Sequence, residues 1–228
     1  MIPKYLKLPL FFHLFLFISG CSTLPEYARP RMVPTNQEIV SPSEGFAYRQ
    51  LKIADFRALS LPQEIGDHEK HIQAHSCIQI RPAKDTKFKV VPNNYHGKTF
   101  YYASIQHIAF EALMIPSCSW WNPRMPKKRT DYVLQHEQIH FAITELAARK
   151  LTHQVQEIAK TFLVIQPTRK QALDELSTRI KSLIKAATDE SLKEHLAFDE
   201  DTSMIFNPKQ QRWWQDKVKK AMREDQAK

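Results

Sequence analysis

Apolar residues recur at two different periods along this chain. Between residues 77 and 114 they come in short runs, at 77–80, 88–91 and 100–114, rich in β-branched and aromatic side chains. Asn93, Asn94 and Gly97 punctuate the runs. Such a pattern predicts strands separated by turns. In the longest run, Tyr102, Ser104, Gln106, Ile108 and Phe110 alternate with Tyr101, Ala103, Ile105, His107 and Ala109. Both series carry apolar groups, so this strand is expected to be covered on both faces. From residue 130 the period lengthens to that of a helix. Thr130 or Asp131 is placed to cap a helix running to about Lys160, with Leu134, Ile143, Leu146, Ala147 and Leu151 as its apolar stripe. A second helix is expected from Thr168, after Pro167, burying Leu173, Leu176, Ile180, Leu183, Ile184 and Leu192. A third opens at Asn207-Pro208, an N-cap followed by proline at the first helical position, and continues through Trp213, Trp214, Val218 and Met222. The two tryptophans are expected as core staples. Together these elements predict an α+β fold, a small N-terminal antiparallel sheet packed on a helical C-terminal half.

The N-terminus has a different character. Lys4 and Lys7 precede an apolar run from Leu8 to Ile18, which is too short to span a bilayer comfortably and has the layout of a secretory leader. Ile18-Ser19-Gly20-Cys21 follows, and resembles the bacterial lipobox, after which the cysteine is diacylated and becomes the first residue. Two or more acyl chains anchor a protein stably. Ser22 follows in place of the aspartate that retains such proteins in the inner membrane. The resemblance therefore implies the outer membrane, facing the periplasm. Pro25, Pro30, Pro34 and Pro42 lie among polar residues over 22–45, which read as an extended tether of roughly 70 Å at about 3 Å per residue. The expected organisation is a lipoprotein signal peptide over 1–20, a lipid anchor and flexible tether over 21–45, and one domain over 46–228. No internal repeat is visible.

Composition narrows the chemistry. The formal charge is +9, and two of the lysines leave with the leader. A mildly cationic surface suits an envelope protein near anionic headgroups or acidic wall polymers. There is no run of five basic residues, so nucleic acid is not expected as a partner, and Lys127, Lys128 and Arg129 are expected to shape a loop. The four glycines, Gly20, Gly45, Gly66 and Gly97, cannot form a G-x-G-x-x-G turn, a Walker loop or a G-x-S-x-G elbow. Nucleotide-dependent enzymes and α/β-hydrolase esterases are thereby disfavoured. Beyond Cys21, Cys77 and Cys118 form an even pair: a disulfide in an oxidising periplasm, or two buried thiols.

His136-Glu137-Gln138-Ile139-His140 is an H-E-x-x-H pentapeptide inside the first predicted helix. Histidines at i and i+4 project from one helix face, so both rings can reach a single zinc ion. Glu137 then stands beside the open position of that ion, where it can act as general base toward water and general acid toward a leaving amine. The third ligand is not local. Glu145 lies nine residues after His136, about 180° round the same helix at 100° per residue, with no glycine or proline between them to break it. The best source is the acidic cluster Asp199, Glu200 and Asp201, at the junction before the last helix; a solvated, helix-capping loop is the competing reading. His195 and His153 are lesser candidates. His68, His71 and His75 read as surface residues, and His107 as a core or surface residue rather than one facing substrate.

Ser119-Trp120-Trp121, the run from Thr130 through the pentapeptide to Phe141, the stretch from Glu145 through Ala148-Arg149 to Leu151, and Phe198-Asp199-Glu200-Asp201-Thr202 with Gln210 or Gln211 and Trp213 or Trp214 resemble the DUF922 family of secreted zinc-dependent proteases. The likeness extends over about residues 48–220 and implies a zincin-like domain. It implies a Zn²⁺ cofactor held by His136, His140 and Asp199, with Glu137 catalytic and Arg149 and Glu145 in supporting contacts. A protein or peptide would be the substrate. Three positions depart from the family: Ala142 stands for its aspartate, Phe198 for its tyrosine and Met204 for its histidine. If the histidine is a ligand in relatives, the chain has lost it. A non-catalytic envelope lipoprotein with a structural or decayed metal site, acting by partner binding, is the alternative, and an amidase acting on wall peptides would share the same zinc chemistry.

Overall fold

The computed structural model describes residues 24–31, 45–203 and 205–227. Cys21, the leader and most of the proposed tether lie outside the described residues, as does Met204. Eight strands are present among them: β1 Phe46–Ala47, β2 Ala74–His75, β3 Ile78–Pro82, β4 Lys87–Tyr95, β5 Lys98–His107, β6 Phe110–Met114, β7 Trp120–Trp121 and β8 Leu163–Gln166. Three helices complete the fold: α1 Thr130–Ala159, α2 Arg169–Thr202 and α3 Pro208–Gln226. The strands form antiparallel sheets in the orders β1-β6-β3, β2-β7 and β4-β5-β8. The molecule is thus α+β, with its N-terminal sheets against a helical C-terminal half. No described helix is long and apolar enough to cross a membrane.

The β4–β5 hairpin turns on His96 and Gly97, both at positive φ (47° and 75°). Two such residues between Tyr95 and Lys98 give the turn whose twist matches the flanking strands. The single strand expected over 100–114 is two. It breaks at Ile108-Ala109, so that β5 pairs with β4 and β8 while β6 pairs with β1 and β3. Ile108 is buried at the break, inside a core formed by Ile80, Ala103, Phe110, Leu151, Val164 and Leu176. Burial there accounts for the apolar character of both series in that run. β8, between the first two helices, had no sequence prediction.

Helix starts follow local chemistry, with one exception. Thr168 Oγ1 accepts from Gln171 N and Asn207 Oδ1 accepts from Gln210 N, capping α2 and α3 where the sequence placed their starts. Neither Thr130 nor Asp131 caps α1. A 3₁₀ turn, Lys127–Arg129, feeds directly into the helix, and Thr130 is its first residue. The acidic cluster is likewise not a loop: α2 runs on through Asp199 to Thr202. A second core, of Ile139, Ala142, Ile143, Phe198, Trp214 and Val218, locks α2 and α3 onto α1. Ala142 is 2% exposed there, where an aspartate would place a charge among apolar groups. Trp214 is buried, whereas Trp213 is 53% exposed and is not a core staple.

Residues 24–31 depart from the tether expectation. They form a 3₁₀ turn, Glu26–Ala28, with Leu24 buried. Tyr27 stacks on His68 at 4.2 Å and 14° between ring planes, and sits 5.7 Å from His71. An aromatic side chain with a ring to stack on gains more from packing than from solvent, so this part of the segment docks on the domain.

Candidate metal centre

One turn of α1 and the last two turns of α2 make the centre. His136 and His140 share a face of α1, and their Nε2 atoms lie 3.0 Å apart. Asp199 Oδ1, from α2, lies 3.1 Å from each. All three side chains are largely buried, and the ring of Phe198 stacks on His136 at 4.4 Å and meets His140 edge-on at 4.9 Å. Four residues separate Asp199 from His195, so both project from one face of α2 toward α1.

The triangle of ligand atoms fits a metal ion. Atoms bound to one tetrahedral ion at about 2.0–2.2 Å stand about 3.3–3.6 Å apart, so these three need to spread by only a few tenths of an ångström. The donor set, two imidazoles and a carboxylate, leaves a fourth position for water or substrate. The buried His136–His140–Asp199 group can therefore hold a metal ion.

Charge inside the group is strongly coupled. Burial disfavours charge on His140, but the Asp199 carboxylate beside it outweighs burial and raises its pKa. Burial also disfavours charge on Asp199, and the two histidines outweigh it and hold that carboxyl well below its usual range. His195 is neutral: burial, aided by His140, lowers its pKa to about 3. Ser203 Oγ donates to Asp199 Oδ1 at 2.9 Å.

Glu137 stands beside this group rather than in it. It is 6% exposed, and Ser76 Oγ donates to its Oε2. Both line one cavity of about 320 Å³, together with His136, His140 and Asp199. His75 lies in the same wall, its pKa lowered by burial. His71, Tyr27 and Arg29 also line the cavity. Of the three histidines read as surface residues, His71 is exposed, whereas His68 is half-buried under Tyr27 and His75 half-buried in the cavity wall, which corrects the reading for those two.

The remaining sites fall elsewhere. Glu145 Oε2 accepts from Ala112 N at 3.0 Å and its Oε1 from Arg149 Nε at 2.8 Å, tying α1 to β6 on the far side of the helix from the histidines. His153 pairs with Asp225 at 2.9 Å, and exposed His107 with Asp85 at 2.9 Å. Cys77 and Cys118 form a disulfide with Cα atoms 5.7 Å apart, which settles the open alternative. Ser76 and Thr144, which contact the site, had no signal in the sequence; Thr202 stands in the run that carries the family resemblance, and His195 lies at i, i+4 spacing to Asp199. No family model, no curated protein and no solved structure matches the chain.

Proposed function

We propose that this protein is a zinc-dependent metallopeptidase of the bacterial envelope, anchored through diacylated Cys21 and facing the periplasm. The observation that carries the reading is the convergence of His136, His140 and Asp199 at 3.0–3.1 Å with Glu137 beside them in one cavity. The H-E-x-x-H spacing and the resemblance to the DUF922 proteases support it, as the lipobox-like run before Cys21 supports the anchor.

His136, His140 and Asp199 would hold the ion. When bound, zinc supplies a Lewis acid for the scissile carbonyl and lowers the pKa of water in its open position. Glu137 would accept a proton from the water that attacks the carbonyl carbon and would return it to the amide nitrogen as the C–N bond breaks. Ser76, which donates to Oε2, holds the Glu137 carboxylate in place.

Metal content and hydrolysis of fluorogenic peptides, measured on the chain from Ser22 onward, test the proposal. The wild type is expected to carry one zinc per chain and to cleave. Glu137→Gln should keep the zinc and lose turnover by about 10²- to 10⁴-fold. His136→Ala should lose the zinc. Full activity in Glu137→Gln would refute the role of Glu137, and zinc without any turnover in the wild type would favour the partner-binding alternative.

A further inference from the structure

Both histidines of the centre carry a second contact, on Nδ1. For His136 it is Thr202 Oγ1, at 3.4 Å. For His140 it is Nδ1 of His195, at 2.8 Å, and the other ring nitrogen of His195 lies 3.3 Å from Thr144 Oγ1. Each threonine hydroxyl also reaches the carbonyl oxygen four residues back on its own helix: Thr202 to Phe198 O at 2.6 Å, and Thr144 to His140 O at 3.1 Å.

These contacts fix proton positions in sequence. A carbonyl oxygen only accepts, so each hydroxyl hydrogen points at its carbonyl. The hydroxyl oxygen is then left to accept. Thr202 Oγ1 therefore takes the Nδ1–H of His136. Thr144 Oγ1 takes the Nε2–H of His195, whose Nδ1 becomes an acceptor. Two ring nitrogens 2.8 Å apart share one proton, so His140 must donate from its own Nδ1. In their neutral forms both rings thus carry their proton on Nδ1 and turn an Nε2 lone pair toward Asp199 Oδ1. Three electron-rich atoms then meet at 3.0–3.1 Å, and a cation is what satisfies them.

We infer that Thr202, and His195 acting with Thr144, are positioning residues that set the tautomers of His136 and His140 for metal binding. The inference rests on the metal-centre reading above and adds to it the residues that prepare the ligands. Partners behind a metal-binding histidine commonly change metal affinity by about 10- to 100-fold when removed. His195 makes an unusual partner, an imidazole where a carboxylate or carbonyl is common. It offers a lone pair without adding a second negative charge next to Asp199.

Zinc affinity, measured by competition with a chromophoric chelator on the chain from Ser22 onward, tests this. His195→Leu removes the acceptor and should weaken zinc about 10- to 100-fold, whereas His195→Asn, whose amide oxygen can stand near the Nδ1 position, should recover to within about threefold. Thr202→Val should weaken zinc about tenfold and Thr202→Ser should restore it. Thermal melting of the metal-free variants shows which of them still fold, and a purely packing role would make leucine no worse than asparagine. Equal zinc affinity in His195→Leu and wild type would overturn the positioning role while leaving the metal centre standing. A wild type that binds no zinc would overturn both.

Discussion

Replacing Cys77 and Cys118 together by alanine removes a covalent link that closes a loop with a sequence separation of 41. In the chain-entropy description, a cross-link lowers the entropy of the unfolded chain by about 2.1 + 1.5R ln n cal/mol/K, which for this loop is about 13 cal/mol/K, or about 4 kcal/mol at 25 °C. The folded state should lose little. Cys77 N still donates to Ser119 Oγ at 3.0 Å, and Ile115 N still donates to Cys77 O at 2.9 Å, so hydrogen bonds hold the same two segments together. With a urea slope of about 2 kcal/mol/M for a domain of this size, the unfolding midpoint should fall by about 2 M. The assay is urea unfolding of metal-free protein followed by tryptophan fluorescence, with Trp120 and Trp121 reporting next to the link. Metal must be absent from both samples, because any ion bound only by the folded state would mask the difference. A midpoint shift below about 0.5 M would refute the reasoning, since the loop would then be closed in the unfolded chain by something other than the disulfide.

Two further outcomes follow from other parts of the molecule. Arg49 grips Asp55 with two hydrogen bonds of 2.9 and 2.7 Å, and these, with Lys52 N, lower the Asp55 pKa. A depressed carboxyl contributes its full stability above the unfolded value, near pH 4, and loses it as pH falls through the folded value. With Arg49 partly exposed, Asp55→Asn should cost about 1 kcal/mol at pH 7; melts at pH 7 and pH 3 should show that gap narrowing, and an unchanged gap would contradict the assignment. Tyr27→Ala removes the stack on His68 and should raise the undocked population of residues 24–31 by about 2- to 10-fold. A chelator should then strip metal from the centre faster by a similar factor in stopped flow, and an unchanged rate would show that the segment does not restrict the cavity.

Much of the helical half was legible locally. Periodicity over a few turns marked the three helices, Pro167-Thr168 marked the start of α2 and Asn207 the cap of α3, and the spacing of His136 and His140 put two imidazoles on one face. These features depend on residues within about four positions of each other, a range over which backbone geometry alone decides who meets whom. The same locality misled at Thr130, where a preceding 3₁₀ turn displaced the cap, and at Ile108-Ala109, where an unbroken apolar run hid a passage between sheets. Trp213 and Trp214 are neighbours in sequence, and a helix turns consecutive residues by 100°, so only the docking of α3 could decide which one is buried.

A pair of histidines with a glutamate between them, an even pair of cysteines and an acidic cluster some sixty residues further on are properties of residue order alone. Folding put the cluster in the last turns of α2, brought Asp199 rather than Glu200 or Asp201 to the histidines, and set Ser76 against Glu137. It also decided that His195 stands behind the centre and not in it. The reason is physical: these contacts join residues that are distant in the chain, and they exist because apolar surfaces around Phe198, Trp214 and Ile139 bury one another and fix how α2 crosses α1. Local pattern supplies the chemically active side chains. The packing of one helix on another sets the distances between them.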